Sequence, residues 1–308
     1  MAQMYEKVWM GEGLVEASQA KVSVASSAIL YGLSVYTVFP VCIASGGRER
    51  VVFRLSDHYE RLLNSAKIIG IDDFVQGWDY PHFVSAVKEL LQKNAVKSDV
   101  FVRATVHVVD EIAGIKSRGL KTTLSMFVYD AEPILSPTGC RLKTSVWRRI
   151  PDYAIPSRAK VNGAYVNSVL AKQDALDVGY DDCIFLDTHG HVCELSAANI
   201  FIVRRGVLIT PDVTSDLLEG INRRSVLEVA AKELGIPVEE RSVDLTELYI
   251  ADEAFASGTS ANIAPITEVD SRRIAGGTVG PMTAKIQQFH ADLLHGKLPK
   301  YQNLLTKC

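Results

Sequence analysis

The residues of this sequence that could do chemistry fall in four places. Lys160 sits in Ile155-Pro156-Ser157-Arg158-Ala159-Lys160-Val161-Asn162-Gly163-Ala164-Tyr165, between an extended stretch at Ser145-Val146-Trp147 and a following helix. A lysine held where a strand hands over to a helix can be desolvated in a cleft, which lowers its pKa and makes the amine nucleophilic. Glu194 ends an apolar hairpin strand, where a carboxylate can pair with a protonated heterocycle nitrogen. Two glycine-containing turns, Leu218-Glu219-Gly220-Ile221-Asn222 and Ser257-Gly258-Thr259-Ser260, stand just before a helix or a tight loop. The first presents backbone N–H groups at a helix N-terminus, where the dipole favours an anion. The second adds hydroxyls and a permissive backbone, as a phosphate cup needs. Each feature also has a plainer reading. Most lysines are solvated surface charges, Glu194 could simply mark a strand edge, and the turns read equally as a helix cap and a hairpin turn. Cys183 and Cys193 read as small core residues rather than nucleophiles. None of the seven histidines forms a ligand-spaced pair on a helix, so no metal site is expected.

The scaffold that must position these residues is an ordinary globular one. At 308 residues, 47% hydrophobic and 22% charged, the chain is long enough that two domains are expected. A net charge of -3 does not suggest a nucleic-acid or anionic-membrane partner, both of which would favour a basic stripe. Five cysteines, odd in number and without a CxxC pair, speak against a disulfide framework or a zinc site and for a reducing cytoplasm. Residues 1–21, with Glu6, Glu12 and Glu16, do not read as a signal peptide. Residues 25–47 carry no charge, but Ser26, Ser27, Gly32, Ser34, Thr37 and Pro40 argue for a turn and a strand buried on both faces rather than a membrane span.

Periodicity and turn residues predict a hairpin over 7–15, helices over about 57–69 and 82–93, and strands over 99–109 and 122–128, the two strands separated by an exposed loop at 110–121. Asp57 with Glu60 three residues on reads as the first helix's start signal. The Pro-containing stretch 130–139 is the linker candidate. Beyond it come a helix over about 163–178, hairpins around His189-Gly190 and Arg205-Gly206, a helix over about 222–234 stopped by Gly235-Ile236-Pro237, and a last helix over 281–294. The expected fold class is α+β or mixed α/β: a small N-terminal α/β domain over 1–129, a linker over 130–139, and a larger C-terminal α/β domain over 140–308 that carries Lys160.

Taken together, the ordered blocks resemble fold-type-IV pyridoxal-phosphate enzymes (the D-amino-acid/branched-chain aminotransferase-like fold), and among them the bacterial and archaeal branched-chain aminotransferases. The blocks are Tyr31-Gly32, Phe53-Arg54-Leu55, His58-Tyr59-Glu60-Arg61-Leu62, Trp147-Arg148-Arg149-Ile150-Pro151, Ala159-Lys160, Gly163-Ala164-Tyr165-Val166-Asn167-Ser168, Glu194 with Asn199-Ile200-Phe201, Glu219-Gly220-Ile221, and Ser257-Gly258-Thr259. They run from Trp9 to about Tyr301. The resemblance implies that Lys160 holds pyridoxal 5'-phosphate as a Schiff base and serves as the general base, and that Glu194 pairs with the pyridine nitrogen. It also implies that Arg61, Gly220, Ile221, Asn222 and Thr259 bind the phosphate, that Leu218 is among the cofactor-binding residues, and that Tyr165 lies near the phenolic oxygen. Tyr31, Tyr36, Val38, Phe101, Arg103, Ser260 and Ala261 fall on substrate-pocket positions. The implied reaction passes the amino group of a branched-chain or other hydrophobic amino acid to 2-oxoglutarate, at a site between the domains completed by a neighbouring subunit of a homodimer or larger assembly.

The departures lie in that pocket. Where the family reads Tyr-Gly-x-x-Val-Phe-Glu-Gly-Ile-Arg, this chain has Tyr31-Gly32-Leu33-Ser34-Val35-Tyr36-Thr37-Val38-Phe39-Pro40, and Phe101 replaces the usual tyrosine while Arg103 is kept. Losing that hydroxyl could cost about 1–3 kcal/mol of recognition. Tyr36, Val38 and Phe101 are similar to (R)-selective amine transaminases, so an amine:pyruvate or D-amino-acid transaminase stands as the alternative. A lyase of the aminodeoxychorismate type and a binding protein that has lost catalysis stand behind it.

Overall fold

A computed structural model of the chain describes residues 3–47 and 49–308. The chain divides into two compact units, each built on its own sheet. In the first unit the strands are β1 (Met4–Met10), β2 (Gly13–Glu16), β3 (Ser34–Ile43), β4 (Arg50–Phe53), β5 (Val100–Val108) and β6 (Thr122–Asp130), joined by a C-terminal strand, Leu305–Lys307. All pair antiparallel, in the order C-terminal strand, β4, β3, β5, β6, β1, β2. Four helices accompany them: α1 (Ser27–Leu30), α2 (Leu55–Ile68), α3 (Asp72–Gly77) and α4 (Tyr80–Lys93).

The two faces of this sheet have different work. Val35, Phe39, Val41, Val102, Ala104, Met126 and Val128 pack with Leu55, Tyr59, Leu62, Phe83, Val87 and Leu90 of α2 and α4 in one apolar core. The alternation of side chains along a strand then sends Tyr36, Val38, Phe101, Arg103, Phe127 and Tyr129 to the other face. Central β3 is buried at every position but its last, which accounts for the uncharged run around it.

Helix α2 begins at Leu55, two residues before the expected start. Asp57 does not cap it; its carboxylate pairs with the Arg54 guanidinium, and Arg54 itself takes a left-handed backbone (φ 51) to turn from β4 into the helix. A capping carboxylate does occur at α4, where the Asp79 side chain accepts from the His82 N–H at 2.8 Å. The short α3, held by buried Phe74, has too few residues to show a helical period in the sequence.

The second unit contains β7 (Cys140–Arg148), β8 (Asp182–Leu186), β9 (Val192–Leu195), β10 (Asn199–Arg204), β11 (Val207–Thr210), β12 (Val238–Glu240), β13 (Glu253–Gly258), β14 (Asn262–Val269) and β15 (Arg272–Arg273). Their order is β12, β11, β10, β13, β14, β7, β8, β9, with β15 on β14. Strand β9 pairs back onto β10 through Glu194 and Asn199, closing a ring of strands. Its helices are α5 (Tyr165–Asp177), α6 (Ile221–Ser225, a π turn at Val226–Ala230, then Ala231–Glu233), α7 (Leu245–Tyr249) and α8 (Pro281–Leu294). Cys183 and Cys193 are fully buried, and burial pushes both thiols up, as core residues require.

The partition is not the single cut expected from sequence. The first unit takes the chain up to Glu132 but also Ala159–Ala164 and Leu293–Cys308; the second takes Pro133–Arg158 and Tyr165–Asp292. The Lys160 segment therefore belongs with the first unit, not with the C-terminal domain. The cause is backbone pairing: Val161 bridges to Val35, the Tyr36 N–H donates to the Lys160 carbonyl at 3.0 Å, and Leu305–Lys307 pairs with β4. Among the described residues no helix is long and apolar enough to cross a membrane.

Two histidines, His290 buried and His107 half-buried, give the fold an acid weakness. His107 in the first unit and His290 in the second are each pushed down to about 4, from an ordinary 6.5, by burial; Arg103 adds to the effect at His107. The unfolded chain thus takes up these protons near pH 6.5 and the folded chain only near pH 4. Their contribution to stability is complete above about pH 6.5 and is lost as the pH falls from there to about 4. Melting temperature measured from pH 8 to 4 should fall through that window, and His107→Gln, which keeps a polar group near Ser125, should flatten the slope. An equal slope in the variant would show that His107 does not carry it.

Candidate active site

Lys160 is presented as part of a sheet edge. Strand β4 pairs with only the end of β3, Val41 to Ile43, and leaves the other half of that edge open. The segment Ala159–Val161 fills it, through the Val35–Val161 bridge and the Tyr36 to Lys160 backbone bond. The Lys160 N–H is held on its other side by Ser65 Oγ of α2 at 3.0 Å. Ala159 and Val161 are buried in the helix-side core, so alternation turns Lys160 to the opposite face. There its Nζ lies 4.8 Å from the centre of the Tyr36 ring.

The same face collects the pocket residues named from sequence. In the β3–β5 register Val38 stands opposite Arg103, Pro40 opposite Phe101, and Tyr36 opposite Thr105. The Arg103 guanidinium lies over the Tyr36 ring at 3.7 Å and donates to Asn162 Oδ1 at 2.6 Å; the Asn162 amide donates onward to Ser34 Oγ at 2.7 Å. Arg103 is thereby aimed by a residue two positions from Lys160. Phe127 and Tyr129 of β6 complete the wall opposite Arg103 and Phe101, and the Phe101 and Tyr129 rings are 5.7 Å apart. Tyr31 is half-exposed beyond the end of β3.

Arg61, on α2, lies on the helix side, its Nη2 3.4 Å from Thr37 Oγ1. Thr37 also bonds His58 Nδ1 at 3.0 Å. His58 is fully buried; burial first, then Arg61, Lys160 and Arg54, hold its pKa well below the ordinary value, so it is neutral. Thr37 thus supplies the hydroxyl that a neutral imidazole can use.

In the second unit Glu194, Asn199 and Ser257 stand side by side across β9, β10 and β13. Directly opposed residues share a face, so this row points one way. The Glu194 carboxylate is buried, with Arg149 Nε 2.9 Å from Oε1 as an ion pair, and Oε2 accepting from the Asn199 amide at 3.1 Å and the Leu218 N–H at 3.3 Å. Gly220 caps α6, and a side chain there would run into Asn199 Oδ1. Ile221 and Asn222 open the helix and are buried; the Asn222 amide donates to the Gly258 carbonyl at 2.9 Å and lies 3.2 Å from His290 Nε2. The Leu218–Asn222 turn is thereby tied to the Gly258-Thr259-Ser260-Ala261 turn that closes the β13–β14 hairpin. Ser257 Oγ, buried beside that turn, has no hydrogen-bond partner. A buried hydroxyl without a partner next to side-chain-free backbone at a helix N-terminus fits a phosphate-bearing group. Tyr165, half-buried, is the first residue of α5.

The structure therefore gathers Lys160, Tyr36, Val38, Phe101 and Arg103 within the first unit, and Glu194, Leu218, Gly220, Ile221, Asn222 and the Thr259 turn within the second. It adds Ser65, Asn162, Phe127 and Tyr129 to the first set, and Arg149, Asn199 and Ser257 to the second. Phe127 and Tyr129 could have been found from their alternation with Met126 and Val128; the amide ties of Asn162 depend on pairings between distant segments and leave no local signal.

The family model for amino-transferase class IV matches residues 35–269. A probable branched-chain-amino-acid aminotransferase of Aquifex aeolicus is 36% identical over 294 residues, 95% of this chain and 94% of that protein. The crystal structure of a branched-chain aminotransferase from the thermophilic archaeon Thermoproteus uzoniensis, with norvaline, is 39% identical with a TM-score of 0.93, covering 98% of this chain and 99% of the other. That of the T.th. branched-chain amino acid aminotransferase, complexed with N-(5'-phosphopyridoxyl)-L-glutamate, is 33% identical with a TM-score of 0.90, covering 98% of each chain.

Gly32 gives the lysine segment a test. Its φ is +65, and a Cβ there would stand 2.9 Å from the Gly163 Cα. Gly32→Ala should cost about 1–3 kcal/mol by strain and displacement and should open the Arg158–Lys160 segment to trypsin. A variant with wild-type denaturation and digestion would show that the close approach does not hold the segment.

Proposed function

The chain belongs to the class IV aminotransferases, and on that premise we propose that it is a pyridoxal-phosphate-dependent branched-chain-amino-acid aminotransferase. The observation that carries this reading is the similarity, over nearly the whole chain, to proteins bearing that name. Norvaline in one relative and a phosphopyridoxyl-glutamate in another support a hydrophobic amino donor and 2-oxoglutarate as the acceptor. The amine:pyruvate and D-amino-acid readings, which rest on Tyr36, Val38 and Phe101, are not favoured by these relatives.

When bound, pyridoxal phosphate supplies a ring that accepts the electrons left at the substrate's Cα. Lys160 would hold it through Nζ and, once released, carry the proton to and from Cα. Glu194, anchored by Arg149, Asn199 and the Leu218 N–H, would keep a proton on the ring nitrogen. The Gly220-Ile221-Asn222 and Thr259 turns, with Arg61, would hold the phosphate, and Tyr165 the phenolic oxygen. Arg103, fixed by Asn162 and the Tyr36 ring, would bind the substrate carboxylate, and Tyr36, Val38, Phe101, Phe127 and Tyr129 would shed water from an apolar side chain. Ser260 and Ala261 would border the same substrate.

We also propose a homodimer or larger homo-oligomer in the cytoplasm. Val166, Val169 and Leu170 of α5, with Val146 and Trp147 of β7, leave an apolar surface exposed that suits a second copy. The free thiols of all five cysteines fit a reducing compartment.

The purified protein should show a visible absorption band that Lys160→Ala removes, and should move the amino group of leucine, isoleucine and valine to 2-oxoglutarate. Transfer from D-alanine or (R)-1-phenylethylamine alone would overturn the substrate assignment; no band with excess cofactor would overturn the cofactor. Asn162→Ala should raise KM for L-leucine by roughly fivefold to a hundredfold, the effect of loosening one charged hydrogen bond, with much less effect on isoamylamine, which has no carboxylate. Equal effects on both would show that Asn162 does not act through Arg103.

A further inference from the structure

We propose that Asn199 is a positioning residue that locks the Glu194 carboxylate to the Leu218–Asn222 turn, so that the ring-nitrogen end and the phosphate end of the cofactor are gripped by one rigid piece. The inference rests on the reading of this site as a pyridoxal-phosphate site. Asn199 is the first residue of β10, buried, opposite Glu194 on one neighbouring strand and Ser257 on the other. Its amide nitrogen donates to Glu194 Oε2 at 3.1 Å and to the Leu218 carbonyl at 2.9 Å. Both partners only accept, which fixes the orientation of the amide and uses both of its N–H bonds. The Leu218 N–H returns to Glu194 Oε2 at 3.3 Å, closing a triangle of carboxylate, amide and backbone. On its other side the Asn199 oxygen occupies the space a side chain at position 220 would need. Gly220, at the N-cap of α6, is therefore bare because it makes room for the amide that holds Glu194.

An amide with two N–H donors serves both acceptors where several smaller replacements would not. Aspartate would set a second carboxylate against Glu194, alanine would leave the Leu218 carbonyl and one carboxylate interaction unserved, and a serine hydroxyl has a single hydrogen for two acceptors. A purely structural asparagine would matter for folding alone. A positioning asparagine must also transmit a change at the turn to the carboxylate.

The test is cofactor affinity measured on the full chain, stripped of ligand and then titrated with pyridoxal phosphate and, separately, with pyridoxal. Pyridoxal lacks the phosphate and so reports only the ring end. Asn199→Ala should lose about tenfold or more in affinity for both compounds, as expected when a buried acceptor loses a donor. Gly220→Ala, far from Glu194 in sequence, should also weaken pyridoxal because its methyl displaces the amide. In the double variant the added loss from Gly220→Ala should vanish, since the clash is gone. Unchanged pyridoxal affinity in both single variants, or losses that simply add in the double variant, would overturn the proposal. Should Asn199→Ala fail to fold, Gly220→Ala with pyridoxal decides alone: a loss supports the link and an unchanged affinity overturns it. Wild-type protein that binds neither compound would instead overturn the cofactor reading itself.

Discussion

The backbone pairing that seats Ala159–Val161 on the open half of β3 is the constraint on which the placement of Lys160 depends. A lysine on a loop would keep its rotamer freedom and its hydration. Here the N–H of Lys160 is bound by Ser65 and its carbonyl by Tyr36, so the main chain is fixed on both sides and the side chain can leave only toward the Tyr36 face. Every neighbour inherits that geometry. Asn162 reaches Arg103 because the same segment runs on past β3, and Gly32 and Gly163 touch because a short turn must let it through.

The second unit buries a carboxylate among an opposite charge and hydrogen-bond donors. Glu194 loses water but gains an ion pair with Arg149 and donors from Asn199 and Leu218. Buried charge is tolerated when it is paired and hydrogen-bonded. The closing of β9 onto β10 makes this possible, since it brings Glu194, Asn199 and Ser257 abreast. The Asn222 tie to Gly258 then joins two turns that lie 36 residues apart in sequence.

Much of this was legible in the sequence where the signal is local. The uncharged run around β3, the glycine turn before α6, the hairpins at Gly190 and Gly206 and the last helix all follow from alternation, capping or turn chemistry. Lys160 and Glu194 could be singled out as candidates, but residue type alone left each with a plainer reading, and only the resemblance of ordered blocks separated the two. Helix α3 and the true start of α2 were hidden, the first by its length, the second because Asp57 serves Arg54 instead of the helix end. The assignment of the lysine segment to the first unit was hidden for a deeper reason: strand pairing over more than a hundred residues has no local trace.

That interleaving has a consequence for how the protein is made. The first 132 residues contain most of one unit, yet two of its sheet edges are finished by segments synthesised much later, 159–164 and 305–307. While the chain is emerging, β3 and β4 present unpaired edge groups of the kind that recruit stray strands. Neither unit can be completed from one contiguous stretch, so the contacts that finish the molecule are of high sequence separation and slow to form. The seating of Lys160 is among those late events, so its side chain is presented only in a chain whose sheet has already assembled around it.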